Sequence, residues 1–251
     1  MRSLVIAVRL ASAAAAQGPS DPPPLLQIIR TPGGSRGDRP YQGARAAVNV
    51  IGIASITGLP ETWLIEAHPN FASIEDLDLA LQAHAPAKPA NQFGEAQLGD
   101  DLLGASRTLV AAYIPGYSYR PGEATRNLPK ARYFRVSIYR VRAGTVDFMN
   151  SLQSQRRRDY DEVNLDRPEL AYRVISGAPA GTYLVLAPLT SLRQIDEGLL
   201  RLPAYLEPAT DQQSDTALGR EHLLFRVDPQ LSYVSTDFAG ADAEYWKPAR
   251  Q

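Results

Sequence analysis

Apolar residues fall in short runs bounded by glycine and proline, and the runs occur twice in the same order. Leu25 to Arg30 reads as a compact strand, and Tyr133 to Arg142 repeats it, with Ile28-Ile29-Arg30 in line with Ile138-Tyr139-Arg140. Val48 to Thr57 and Ala171 to Ser176 are the next pair. Each is followed by a Gly-x-Pro turn, Gly58-Leu59-Pro60 or Gly177-Ala178-Pro179, and by another apolar strand. Two strands around such a turn predict a hairpin. Each hairpin leads into a helix opened by serine, Ser73 or Ser191, a residue suited to an N-cap. Leu109 to Tyr113 and Leu223 to Val227 close the two copies as final strands.

The second copy has a further helix from Thr145 to about Tyr160, where Val146, Met149 and Leu152 recur at helical spacing. In the first copy Pro32-Gly33-Gly34 and Pro40 break this helix, leaving a short piece over Tyr41 to Ala47. Each half thus reads strand, helix, strand, strand, helix, strand. The predicted fold class is α+β, two tandem ferredoxin-like (split βαβ) domains forming an intramolecular α+β barrel. The boundaries are a first repeat over 25–119, a linker over 120–130, a second repeat over 131–233 and a tail over 234–251. Phe238, Tyr245 and Trp246 predict that the tail docks on the body.

Composition narrows the function classes. The 251 residues carry a net charge of −1, which offers no basic field for nucleic acid. The absence of cysteine removes disulfides, thiolate zinc sites and thiol nucleophiles. Residues 1–16 have the parts of a secretory signal: Arg2, the apolar Leu4 to Val8, and an alanine run ending at Ala16, although Arg9 interrupts the apolar stretch. The expectation is cleavage after Ala16 and a periplasmic or secreted protein without a membrane span, beginning with an extended Pro-rich tether over 17–24. A misassigned start or an alanine-rich tail is the alternative.

Tyr133-Phe134-Arg135-Val136-Ser137-Ile138-Tyr139-Arg140-Val141-Arg142-Ala143-Gly144 followed by a helix, together with Val174-Ile175-Ser176-Gly177-Ala178-Pro179, resembles the NIPSNAP-like and antibiotic-biosynthesis-monooxygenase-like proteins of the dimeric α+β barrel superfamily. More narrowly, the chain looks like exported bacterial proteins carrying two such domains. The resemblance spans about 25–233 and implies two sheets enclosing a cavity, here closed by one chain acting as a monomeric pseudo-dimer. It also implies related oxygenases that work without metal or flavin, or bind haem through histidine.

Alternation along the strands suggests where chemistry could sit. Leu26 and Ile28, with Val136 and Ile138, read as the helix-facing set. Gln27, Ser137, Tyr139 and Arg135 then fall on the opposite face as candidate ligand-binding residues. Leu64, Glu66 and His68 share a face where the second copy reads Leu184, Leu186 and Pro188, so the repeat itself does not require Glu66 and His68. With Arg135 and Tyr139 they are the catalytic candidates: a base, an acid or anion partner, and hydrogen-bond donors. The alternative has His68-Pro69 ending a strand at the surface with Glu66 solvated. Trp63, aligned with Tyr183, reads as a core aromatic. His84 and His222 read as structural or exposed, and three scattered histidines predict no metal site. Arg156-Arg157-Arg158 reads as a solvated helix end, and Arg36-Gly37-Asp38 as a glycine-rich loop.

No cofactor motif is present and none is expected. Three functions stay open. One is a protein binding a small, largely apolar ligand in the barrel. The second is a cofactor-independent oxygenase or haem-handling enzyme, which needs Glu66, His68, Arg135 or Tyr139 to converge. The third is a structural or partner-binding module with a filled barrel.

Overall fold

A computed structural model describes residues 21–32, 48–84, 102–103, 108–142, 146–201 and 217–247. The leader, most of the tether, Arg36-Gly37-Asp38, the helix expected over Tyr41 to Ala47 and most of the connections over 82–106 and 202–220 lie outside these residues.

Eight antiparallel strands close into one barrel: β1 (Leu25–Pro32), β2 (Val50–Ser55), β3 (Glu61–His68), β4 (Thr108–Tyr113), β5 (Tyr133–Val141), β6 (Leu170–Ser176), β7 (Thr182–Leu189) and β8 (Ala217–Val227). The order around the barrel is β1-β3-β2-β8-β5-β7-β6-β4. The first four strands are contiguous in the order β4-β1-β3-β2, and the last four in the equivalent order β8-β5-β7-β6. Two seams join the halves. At one, Ile53, Ala54 and Ser55 pair with Val227, Arg226 and Phe225. At the other, β4 pairs with β6 through a bulge between Val110 and Ala111. Closure leaves no open sheet edge.

An eight-stranded barrel is just wide enough for its inward side chains to fill. Alternate residues of every strand form one buried cluster, among them Leu26 and Ile28, Ile51 and Ile53, Val136 and Ile138, and Leu184 and Leu186. Trp63, fully buried, stacks obliquely on Phe225 with ring centroids 4.8 Å apart. The set expected to face the helices therefore faces the interior. Water is excluded from a closed barrel on every side, so the most apolar face goes inward, while an outer face only partly roofed by helices can hold polar groups.

Two smaller clusters sit between the barrel and its helices. Under α1 (Phe71–His84), Val50, Leu64, Ile29 and Tyr233 pack against Leu77 and Leu81. Under α3 (Val146–Glu162), Tyr139, Val141, Tyr183 and Val185 pack against Phe148, Met149 and Leu152. The α1 cap is Asn70, not the expected Ser73, because Asn70 Oδ1 accepts from the Ser73 amide at 3.0 Å. Ser191 does stand at the start of α4 (Arg193–Arg201), accepting from the Arg193 amide at 3.2 Å.

The expected linker is helical: α2 (Pro121–Asn127) continues into a 3-10 turn, Leu128–Lys130. Pro121 is preset for the first helical position, where no amide hydrogen is needed. The tail docks as expected through α5 (Thr236–Gly240) and α6 (Ala243–Trp246). Phe238 and Trp246 are buried, and Trp246 Nε1 donates to the Pro129 carbonyl at 2.7 Å. Arg132 stacks on Tyr245, its guanidinium carbon 3.6 Å from the ring centroid, and pairs with Asp242.

Gly177 tests the hairpin geometry. Its φ is +87°, and a Cβ there would lie 2.1 Å from the Thr108 carbonyl oxygen across the β4–β6 seam. Gly177→Ala should lower unfolding free energy by at least about 2 kcal/mol from left-handed strain and backbone displacement. Gly116→Ala, which meets nothing within 4 Å, should stay within about 0.5 kcal/mol of wild type in the same urea titration.

Candidate functional site

The interior is not filled uniformly. At the end where β1 begins, Leu26, Ile51, Ile65, Phe134, Leu186 and Tyr172 wall a cavity of about 120 Å³. Both halves of the chain contribute. Its rim is Asp21 and Pro23, Asn49, Thr125 and Leu128 of the α2 region, and Phe238 of α5. Tyr172 reaches past the apolar wall and donates its hydroxyl to the Pro23 carbonyl at 3.2 Å. Burial, with Tyr113 beside it, pushes the Tyr172 pKa well above the usual phenol range, so the hydroxyl remains a donor.

The opposite end is packed shut around a buried ion pair. Arg30 and Glu61 follow the inward alternation of Ile28 and Trp63, and Arg30 Nε donates to Glu61 Oε2 at 3.0 Å. The guanidinium carbon lies 5.6 Å from the Trp63 ring centroid. Leu103, fully buried, joins the interior cluster. Neither charge was singled out from sequence. The signal available was that both share the parity of the inward apolar residues on their strands.

Gln27, Ser137, Tyr139 and Arg135, expected to line the cavity, lie on the outer face instead. Gln27 stands opposite Glu66 in the β1–β3 ladder, its Oε1 buried without a hydrogen-bond partner among the described residues. The other three lie in a network at β5, β8 and α3. Arg156 pairs with Glu169 at 2.8 Å and donates to the Tyr139 hydroxyl at 2.8 Å, and the Tyr160 hydroxyl donates to Glu169 at 3.1 Å. Despite the cost of burial, Glu169 and Tyr139 hold the Arg156 pKa above its ordinary value. For Arg135 desolvation dominates and lowers the pKa, with Glu169 opposing it. Arg156 is therefore not part of a solvated helix end. The network draws it beneath α3, and Arg157 donates to the Ser118 carbonyl at 3.1 Å.

His222 belongs to this network rather than to a strand start, because β8 begins at Ala217. Its Nε2 accepts from Arg220 Nε at 2.7 Å, so Nδ1 carries the proton and donates to Ser137 Oγ at 2.7 Å. Desolvation, reinforced by Arg135, Arg220 and Arg156, lowers the His222 pKa to about 3.

Glu66 and His68 lie under α1, buried to 1% and 0% exposure. The surface alternative for them is excluded. His68 Nε2 is 3.2 Å from Glu66 Oε2, and Nδ1 is 3.1 Å from Ser73 Oγ. The ladders also correct their repeat partners. Ile28 faces Ile65 and Ile138 faces Leu184, so Glu66 and His68 correspond to Val185 and Ala187, and Trp63 to Thr182. The alignment was one residue out, which exchanges the two faces of a strand. The contrast survives, since both true partners are apolar. Glu66 and His68 sit under α1 while Arg135 and Tyr139 sit under α3, so the convergence needed for an oxygenase site is not formed by these four residues.

No protein-family model and no curated protein sequence matches the chain. Among solved structures it is similar to an inferred monooxygenase from Fusobacterium nucleatum subsp. nucleatum, at 8% identity and a TM-score of 0.48 over 82% of this chain and 93% of that one. An inferred monooxygenase from Lactobacillus acidophilus is similar at 9% identity and a TM-score of 0.43, over 82% and 94% of the two chains. A dye-decolorizing protein from V. cholerae is similar at 11% identity and a TM-score of 0.43, over 84% and 96%.

The His222 environment predicts an acid limb of stability. The folded state refuses a proton that the unfolded chain accepts below about pH 6.5, so stability present above that pH should fall as pH drops toward about 3. His222→Gln should flatten this limb in urea titrations over that range.

Proposed function

We propose that the protein is an exported, monomeric barrel of two tandem ferredoxin-like domains that binds a small, largely apolar ligand inside the barrel. The observation that carries this reading is the cavity of about 120 Å³ walled by Leu26, Ile51, Ile65, Phe134 and Leu186. An apolar void of this order can take a six-membered ring or a short alkyl chain in place of empty space. Binding would be driven by removing apolar ligand surface from water, about 25 cal/mol per Å². Tyr172, Asn49 and Thr125 at the rim offer the few polar groups that would orient a ligand with one polar end.

The rim also suggests the entry route. It consists of segment 21–24, Asn49 just before β2, α2 with the turn that follows it, and α5, none of which is part of a barrel strand. A ligand can enter by displacing such a segment without breaking a ladder.

The test is a thermal-shift titration with benzene, toluene and indole, alongside native mass spectrometry of the protein purified from an exporting host. At least one probe should raise Tm with one-to-one stoichiometry, and Ala67→Phe, which puts a ring into the cavity, should weaken that probe at least about tenfold, or by 1.4 kcal/mol. No shift with any probe and no copurified mass would sink the reading. A dimer by native mass would remove the monomeric part alone.

A further inference from the structure

We infer that Ser73, His68 and Glu66 form a nucleophilic relay beneath the first turn of α1, able to cleave small neutral acyl esters. This site lies on the outer face of the barrel and is independent of the cavity.

Glu66 and His68 come from one face of β3 and are sealed beneath α1. A carboxylate is an acceptor only, so at 3.2 Å the Nε2 of His68 is the donor to Glu66. In the tautomer with its proton on Nε2 the ring turns the Nδ1 lone pair toward Ser73 Oγ at 3.1 Å, where the serine hydroxyl is the donor. Both distances are within the reach expected of a nucleophile, its base and the group orienting that base. The two nitrogens have exchanged the places they hold in the chymotrypsin-like triad, but the proton path is the same.

Two other features point the same way. Ser73 alone of the three is half-exposed, so the buried base and orienting carboxylate serve a hydroxyl that solvent and substrate can reach. The chain also does not need Ser73 as its cap, since Asn70 already takes the Ser73 amide. The first-turn amides of α1 lie at the same helix end, where partial positive charge favours a developing oxyanion. Exposed Glu75 and Asp76 stand beside Ser73 on the helix and disfavour anionic substrates, while Phe71, 59% exposed, offers an apolar contact for an acyl or aryl group.

In the reaction, Ser73 Oγ adds to the ester carbonyl carbon as its proton passes to His68 Nδ1, and Glu66 faces the resulting imidazolium. The tetrahedral adduct collapses, the carbon–oxygen bond to the leaving group breaks, and the alkoxide or phenoxide departs with the proton from Nδ1. Water then attacks the acyl-serine ester, again giving its proton to Nδ1. Ser73 leaves and recovers that proton, so the sum is ester plus water to acid plus alcohol.

The experiment is to treat the full chain with a neutral alkyl fluorophosphonate and map the adduct by peptide mass spectrometry, with p-nitrophenyl acetate hydrolysis in parallel. The expected result is a single adduct on Ser73, with ester hydrolysis lost in Ser73→Ala. Glu66 acts as a positioning residue, so Glu66→Gln should lower the maximal labelling rate at saturating probe at least about tenfold while half-saturation stays within twofold. Folded wild-type protein that leaves Ser73 unlabelled under conditions that modify a control serine hydrolase overturns the relay, and this outcome does not depend on any variant folding. Labelling of Ser73 that is equally fast in Glu66→Gln also overturns it, because the hydroxyl would then be merely exposed.

Discussion

The two seams that close the barrel are the constraint on which the rest of the molecule depends. The halves could each form a four-stranded sheet, but such a sheet leaves two unpaired edges and one whole face without cover. Joining β2 to β8 and β4 to β6 removes all the edges and makes the faces unequal. One face becomes an interior from which water is excluded, and the other becomes a surface that helices cover only in part. The placement of Trp63, of Arg30 with Glu61, and of each polar network follows from that division.

This division explains what could and could not be read from the sequence. The strands were legible because the hydrophobic runs, their turns and their order recur, and the turn glycines have the positive φ that the Gly-x-Pro pattern implies. On β1 and β5 the shared parity was legible as well, since Leu26 and Ile28 do share a face with Val136 and Ile138 across the barrel, whereas between β3 and β7 the alignment slipped by one residue and exchanged the faces. What each parity faced was not legible. An isolated ferredoxin-like sheet turns its apolar face to its helices, whereas a closed barrel turns it away from them, and the difference lies in contacts between β2 and β8 that local pattern does not encode. The candidate ligand-binding residues were thus recognised as a set and assigned to the wrong side. The helix inside the expected linker was not anticipated for a local reason: two prolines and a glycine over 120–130 read as a plain connection, although proline at a first helical position starts a helix as readily as it stops one.

The two outer-face networks differ in what their polar groups leave unused. Under α3, Arg156 and Tyr160 converge on Glu169, and His222 is held neutral with one nitrogen accepting and the other donating. The interactions there tie strand to helix and strand to strand, and the His222 ring has no lone pair left for a substrate. Under α1 the histidine again lies between two partners, but one is a hydroxyl on a half-exposed helix turn. The same residue type is therefore structural at one site and available as a base at the other. What decides is whether Nδ1 gives its proton or receives one.

The asymmetry between the barrel's ends follows from how each is plugged. At the Trp63 end, Arg30 and Glu61 are already desolvated. Opening that end would expose a buried aromatic and separate or rehydrate a buried pair, and a buried charge that loses its partner costs about 3–5 kcal/mol. At the other end the plug is chain that runs across the mouth, held by contacts such as the Tyr172–Pro23 hydrogen bond and the packing of Phe238. A neutral hydrogen bond contributes only about 1 kcal/mol net. That end is therefore the cheaper of the two to open, and the void lies at it. The ion pair contributes little net stability in a closed interior, but separating it is costly, so its main effect is to make the Trp63 end the harder of the two to open.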